Sequence, residues 1–122
     1  MSPVSLWLVQ TDRLLPAEFD SILAPDEQIK AQRFRLLSDQ RRYRLMRIAL
    51  RRLLAKTLNC DPRDIHFRYS ANGKPVLAKP DRQLYFNVSH SGDYGLIGIA
   101  QNQLIGVDLE LIEPKPNVLA LA

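Results

Sequence analysis

The stretch Leu84–Glu110, LYFNVSHSGDYGLIGIAQNQLIGVDLE, decides how this chain folds. Leu84–Val88, Leu96–Ala100 and Leu104–Leu111 are short runs rich in β-branched, aromatic and other apolar residues. Ser-Gly-Asp and Gln-Asn-Gln separate them, so the runs read as strands of one small meander joined by tight turns. Ser89-His90-Ser91-Gly92 is expected in the first turn. In the last run Val107, Leu109 and Leu111 alternate with Asp108 and Glu110. Successive strand side chains point to opposite faces, which puts the two carboxylates on one face about 7 Å apart along the chain. Oxygen ligands at that spacing can share one hard divalent cation, above all when a substrate phosphate completes the set. The same alternation also describes the solvated side of any antiparallel strand, and the pair by itself leaves both readings open.

Upstream, Val4–Gln10 is expected as a strand, with Val4, Leu6 and Leu8 alternating with Ser5, Trp7 and Val9. Pro16–Leu23 reads as a short helix and Pro25 as the start of another, because proline fits the first helical position. Asp26 and Glu27 then fall in its first turn, where the helix dipole favours acids. Ser38 is the expected N-cap of the longest helix, Asp39 to Leu58. Within it Tyr43, Met46, Leu50, Leu53, Leu54 and Thr57 recur at helical spacing as a buried stripe, edged by Arg44, Arg47 and Arg51. Cys60-Asp61-Pro62 ends the helix. Ile65–Tyr69 is a strand, Ala71-Asn72-Gly73 a turn and Pro75–Leu77 a short extended piece. A strand, then helices, then a run of strands predicts an α+β domain, its helices packed on a small, mainly antiparallel sheet.

At 122 residues, 46% hydrophobic and 25% charged, the chain has the length and composition of one ordinary soluble domain. Its apolar runs fall far short of the ~18 residues that cross a bilayer, and no membrane partner is expected. No basic-then-apolar leader opens it. The single cysteine, Cys60, rules out an internal disulfide framework and suits a reducing compartment, so the expected location is cytoplasmic. Two histidines and one cysteine at irregular spacing make a poor zinc site, and His66 and Cys60 read as structural. The net charge of +4 has a location: Arg33, Arg35, Arg41, Arg42, Arg44, Arg47, Arg51 and Arg52 lie between Lys30 and Lys56. Such a run suits a phosphorylated partner, nucleic acid or a nucleotide-like small molecule, or else it solvates a helix face. No Gly-rich phosphate loop is present to decide.

The segment Phe-Asn-Val-Ser-His-Ser-Gly ending at Gly92, followed by Ile-Gly-Val-Asp-Leu-Glu ending at Glu110, resembles the first signature of the 4′-phosphopantetheinyl transferases. More narrowly it is similar to the large, surfactin-synthetase-activating (Sfp-type) class, whose Gly-Lys-Pro tripeptide stands here at Gly73–Pro75. The resemblance runs over essentially the whole chain. It implies one α/β half of a pseudo-dimeric fold with the active site in the cleft between halves. Residues 1–103 would be the N-terminal half, and 104–122 the first strand and truncated helix of the second. The resemblance also implies Mg²⁺ binding by Asp108 and Glu110. It implies contacts to coenzyme A from His90 and Ser89 near the 3′-phosphate, from Lys74, from Arg44 on the long helix and, more loosely, from Lys30. Arg47 and Arg51 have no counterpart and are expected at the surface.

The implied reaction moves 4′-phosphopantetheine from coenzyme A to a serine of an acyl or peptidyl carrier protein, releasing adenosine 3′,5′-bisphosphate. The family's second signature, a Trp followed by Lys-Glu and a further Lys, is not in this sequence. It would carry the base, so no catalytic residue is expected within the chain itself. Asn117 would cap a helix that Val118–Ala122 only begin. The chain is therefore expected to be an incomplete fragment, inactive alone and prone to self-association through uncovered apolar surface. Two alternatives from other classes rank below: a non-catalytic remnant, and a small basic nucleic-acid-binding module using the arginine helix. The latter would interleave exposed aromatics with its arginines, and the helical region offers only Phe34 and Tyr43.

Overall fold

The computed structural model describes residues 4–101. Its elements in chain order are β1 (Val4–Gln10), α1 (Pro25–Arg33), α2 (Leu37–Leu58), β2 (His66–Tyr69), β3 (Pro75–Lys79), β4 (Leu84–Ser91) and β5 (Tyr94–Gln101). Short 3-10 helices at Ala17–Ile22 and Pro62–Asp64 link them. One antiparallel sheet has the order β1-β5-β4, and β2 and β3 form a separate antiparallel hairpin. The α+β architecture read from the sequence is the one observed.

Strand β5 is the centre of the larger sheet and accordingly the most apolar. Ile97 stands between Trp7 of β1 and Val88 of β4, and Ile99 between Ser5 and Phe86. Both isoleucines are buried and meet Met46, Leu50 and Leu54 of α2, together with Ile65 and Leu84. The three-and-four spacing along α2 thus marks its sheet-facing side, where each fully buried aliphatic side chain contributes about 1.5–3 kcal/mol. On β1 the side that packs against this core is Trp7 and Val9. Gly95 serves the same packing. A Cβ at that position would overlap Sδ and Cε of Met46, so the missing side chain lets α2 settle onto β5.

Two local expectations change, the cap of the long helix and the place of the first turn. Helix α2 begins at Leu37, with Leu36 as its N-cap and no capping side chain. The Leu36 carbonyl accepts from the Asp39 and Gln40 amides, which leaves Ser38 inside the first turn. The helix ends on Asn59, at a left-handed φ of 57° that asparagine tolerates, and the Cys60 amide closes back on Ala55. Strand β4 runs through His90 to Ser91, so the expected Ser-His-Ser turn is strand. The turn is Gly92-Asp93, with Gly92 at φ 57° and Ser91 paired to Tyr94.

The largest correction concerns Arg47 and Arg51. They are not surface residues: both are buried, at 8% and 3% exposure. Helix α2 is covered on two sides, by the sheet on one and by α1 on the other, so Leu45 and Ile48, which are not part of the sheet-side core, are buried as well. Residues that a single-stripe pattern leaves at the rim are enclosed by the second helix.

No helix among the described residues is long and apolar enough to cross a membrane. The expected strand Leu104–Leu111, the carboxylates Asp108 and Glu110, the stub Val118–Ala122 and the division at residue 103 lie outside the described residues.

Candidate functional site

Helix α1 begins where Pro25 occupies its first position and Glu27 reaches back to accept from the Ala24 amide at 2.8 Å. That reach turns the Glu27 carboxylate inward, where it is 1% exposed. Arg51 Nε donates to it at 2.7 Å, and Arg47 Nη1 lies 3.3 Å from its other oxygen. Arg47 and Arg51 are four apart on α2 and therefore share a face. Arg51 also donates to the carbonyls of Pro62 and Ile65, tying α2 to the approach of β2. One carboxylate thus meets two guanidinium groups, and the enclosed cluster keeps a surplus positive charge.

That cluster backs a cleft of about 540 Å³ between α1, α2 and the β2–β3 hairpin. Its aromatic walls are Phe34, Tyr43 and Tyr69, and its charged rim is Asp26, Lys30 and Arg33, with Gly73 at the hairpin end. Arg47 holds the walls. Its Nη1 donates to the Tyr69 hydroxyl at 3.0 Å, and its guanidinium lies 5.4 Å from the Tyr43 ring centre and 5.8 Å from that of Tyr69. Lys30 Nζ sits 5.4 Å from the Tyr43 ring centre, and Phe34 packs on Tyr43 with ring centres 5.5 Å apart. Burial pushes the Tyr43 phenol up to about 12, so it stays protonated. Its hydroxyl is buried and has no hydrogen-bond partner among the described residues. The cleft therefore offers cations and flat apolar walls, a set suited to a ligand with anionic oxygens and an aromatic ring.

The residues named from the sequence separate in space. Lys30 lines the cleft. Lys74 follows Gly73, whose φ of +82° favours glycine, in a turn closed by the Ser70 amide on the Lys74 carbonyl. His90 and Ser89 are neighbours on β4 and so face opposite sides of the sheet. His90 stands across from Gly95, on the α2 side with Phe86 and Val88, whereas Ser89 pairs with Leu96 on the outer side. Arg44 is turned toward Asp20, 3.8 Å from its carboxylate, and does not line the cleft. Among the described residues no three His, Cys, Asp or Glu side chains group as a metal site. Burial, and then Asp64 and Asp61, push the Cys60 thiol up, which agrees with an inert structural cysteine.

Sequence reading missed Glu27, Arg47, Arg51, Phe34, Tyr43 and Tyr69 as site residues. One signal was available: a glutamate at the third helical position, ahead of two arginines four apart beside an apolar stripe.

Comparison with known proteins agrees with this architecture. The family model described as "4'-phosphopantetheinyl transferase, N-terminal" matches residues 9–102. The chain is 43% identical over 118 residues to the slr0495 protein of Synechocystis, which carries the name of this transferase family, covering 96% of the chain and 48% of that protein. It is 32% identical over 123 residues to the 4'-phosphopantetheinyl transferase HetI of Nostoc, covering 98% of the chain and 52% of HetI. The chain spans about half the length of these curated relatives. Among solved structures, the Chronobacterium ammoniagenes ACPS-CoA complex has the same fold, with a TM-score of 0.54 at 18% identity over 84% of this chain and 98% of that one. A match across most of the described residues, on the same strands and helices that build the cleft, makes this chain a member of the 4′-phosphopantetheinyl transferase family.

Proposed function

We propose that the chain supplies the coenzyme-A-gripping half of an enzyme that transfers 4′-phosphopantetheine to a serine of a carrier protein. The observation that carries the reading is the cleft between α1, α2 and the β2–β3 hairpin, with Lys30 and Arg33 at its rim and Tyr43 and Tyr69 as its walls. Cations there bind phosphate, and flat apolar walls suit a base. The surplus positive charge of Glu27, Arg47 and Arg51 lies behind them and favours an anion.

In this reading residues 1–103 form the N-terminal half, and 104–122 open the second. Lys30 holds the nucleotide end in the cleft and Lys74, next to Gly73, stands at its hairpin end, while His90, Ser89 and Arg44 lie outside the cleft lining and rest as coenzyme A contacts on the family resemblance alone. Asp108 and Glu110 are the residues that would hold Mg²⁺, since two carboxylate oxygens beside substrate phosphates are the donor set this hard ion takes. When bound, Mg²⁺ supplies charge neutralisation at the pyrophosphate. The serine oxygen of the carrier forms a bond to the phosphorus bearing pantetheine as the bond to the bridging oxygen breaks. Adenosine 3′,5′-bisphosphate leaves, and the serine proton goes to a base that no residue of this chain is assigned to be. The chain's own contribution is binding and alignment of the phosphates. A cytoplasmic setting, where coenzyme A and reduced Cys60 coexist, belongs to the same reading.

A nucleic-acid role for the arginine helix fits less well. Arg42, Arg44, Arg47 and Arg51 all lie within ion-pair distance of carboxylates of the fold. Calorimetric titration of the chain with coenzyme A, with and without Mg²⁺, tests the proposal. Lys30→Ala and His90→Ala should each weaken binding. Unchanged affinity in both would remove the site.

A further inference from the structure

Beside β1 and α2 the fold leaves a second groove, of about 710 Å³, that shares no lining residue with the cleft. Its floor is apolar: Trp7 and Val9 from β1, Ala49 and Leu53 from α2. These four are the half-buried rim of the main core. Three exposed cations, Arg13, Arg52 and Lys56, stand around it, and no carboxylate lines it. None of the three takes part in an ion pair among the described residues. Arg13 donates to Gln10 at 3.2 Å, and Arg52 lies over the Phe19 ring at 5.0 Å, so two of the charges are held in place while remaining unneutralised. Among the described residues the strand bordering the groove is also the edge of its sheet: β1 pairs with β5 on one side and with no described strand on the other.

We infer that this groove docks an acidic, extended segment of a partner protein, which adds as a strand to the edge of β1 that no described strand pairs with. Each part of the surface matches one part of such a segment. An open strand edge presents backbone N–H and C=O groups that only another polypeptide backbone satisfies in register. Alternating side chains of an added strand would place apolar groups beside Trp7 and Val9. Its carboxylates would reach the cations at the rim. A nucleic acid would use the cations but neither the strand edge nor the apolar floor. The charge complementarity steers encounter and is screened by salt, whereas the strand edge and floor supply register. This inference stands apart from the coenzyme A site, since no residue is common to both.

Trp7 is the only tryptophan of the chain, so its emission reports on the groove directly. The test titrates the whole chain with a short, end-blocked peptide of alternating glutamate and valine. The expected result is a saturable blue shift of Trp7 emission that weakens as salt rises. Lys56→Glu, and the triple change Arg13→Glu, Arg52→Glu and Lys56→Glu, should lower affinity, the triple by about tenfold or more. All three positions are exposed, so far-UV circular dichroism should stay unchanged. A peptide of alternating glutamate and serine tests the apolar floor, and one N-methylated at alternate residues tests the strand edge. Both should bind about tenfold more weakly. No saturable shift, or equal binding by either control peptide, would overturn the inference. Tighter binding of a single-stranded oligonucleotide at the same Trp7 signal would reassign the groove to nucleic acid.

Discussion

Glu27 Oε1 and Arg51 Nε stand 2.7 Å apart, with both side chains almost fully withdrawn from water. The pair joins α1 to α2. Through the carbonyls of Pro62 and Ile65 that Arg51 also binds, it fixes where β2 begins. Removing one partner of such a pair leaves charge buried without compensation. Glu27→Ala should therefore destabilise the chain by about 3–5 kcal/mol in urea unfolding. Replacing Glu27, Arg47 and Arg51 together by leucine or methionine should recover part of that loss, because no charge is then stranded. A Glu27→Ala loss within the ordinary surface range would show that the cluster is solvated.

Gly95→Ala should cost about 1–3 kcal/mol, because the new methyl group overlaps the thioether of Met46. Met46→Ala should also destabilise, by leaving a cavity. The double variant should lose less than the sum of the two single losses, since the space vacated at one position accepts the methyl group added at the other. Strict additivity in thermal or urea melts would place the two residues apart.

Spectrophotometric titration should find one of the chain's four tyrosines ionising near pH 12, and Tyr43→Phe should remove that transition. The folded-state value lies above the ordinary 10. This contribution to stability is present in full below pH 10 and is lost as pH rises through about 12. Because the Tyr43 hydroxyl has no partner in the described fold, Tyr43→Phe should be close to neutral for stability near pH 7. A marked loss of stability in Tyr43→Phe would mean that the hydroxyl is satisfied within the fold.

Lys30→Ala should weaken coenzyme A binding more than Arg44→Ala, because Lys30 lines the cleft and Arg44 is turned to Asp20. Loss of a charge-assisted phosphate contact is worth about 1.5–3 kcal/mol, readable by calorimetry. Asp108→Ala should abolish any strengthening by Mg²⁺ while leaving metal-free binding intact. The reverse order for Lys30 and Arg44 would move the phosphate site toward the Ala17–Ile22 turn.

Much of the site's raw material was legible along the chain, and its assembly was not. Gly73-Lys74-Pro75 and the Ser89-His90 motif stand out because glycine at a left-handed turn and a short polar run between apolar strands are local signals. Phe34, Tyr43 and Tyr69 gave no comparable sign. They come from the end of α1, the first turns of α2 and the end of β2, and become one wall only when Arg47 draws the two tyrosines together. Ser89 and His90 illustrate the converse. The motif joins them in sequence, and the pleat of a strand running on to Ser91 sends them to opposite faces.

The sequence by itself determined the α+β class, the positions of β1, α2, β4 and β5 and the family resemblance carried by its motifs. Apolar periodicity, glycine turns and proline helix starts act between residues close along the chain. Only the tertiary structure decided that Glu27, Arg47 and Arg51 are interior. An arginine looks the same in sequence whether water or a carboxylate from another helix neutralises it. Glu27 and Arg51 are separated by 24 residues, so the choice rests on where α1 packs. That packing encloses the charges and closes the cleft in one event.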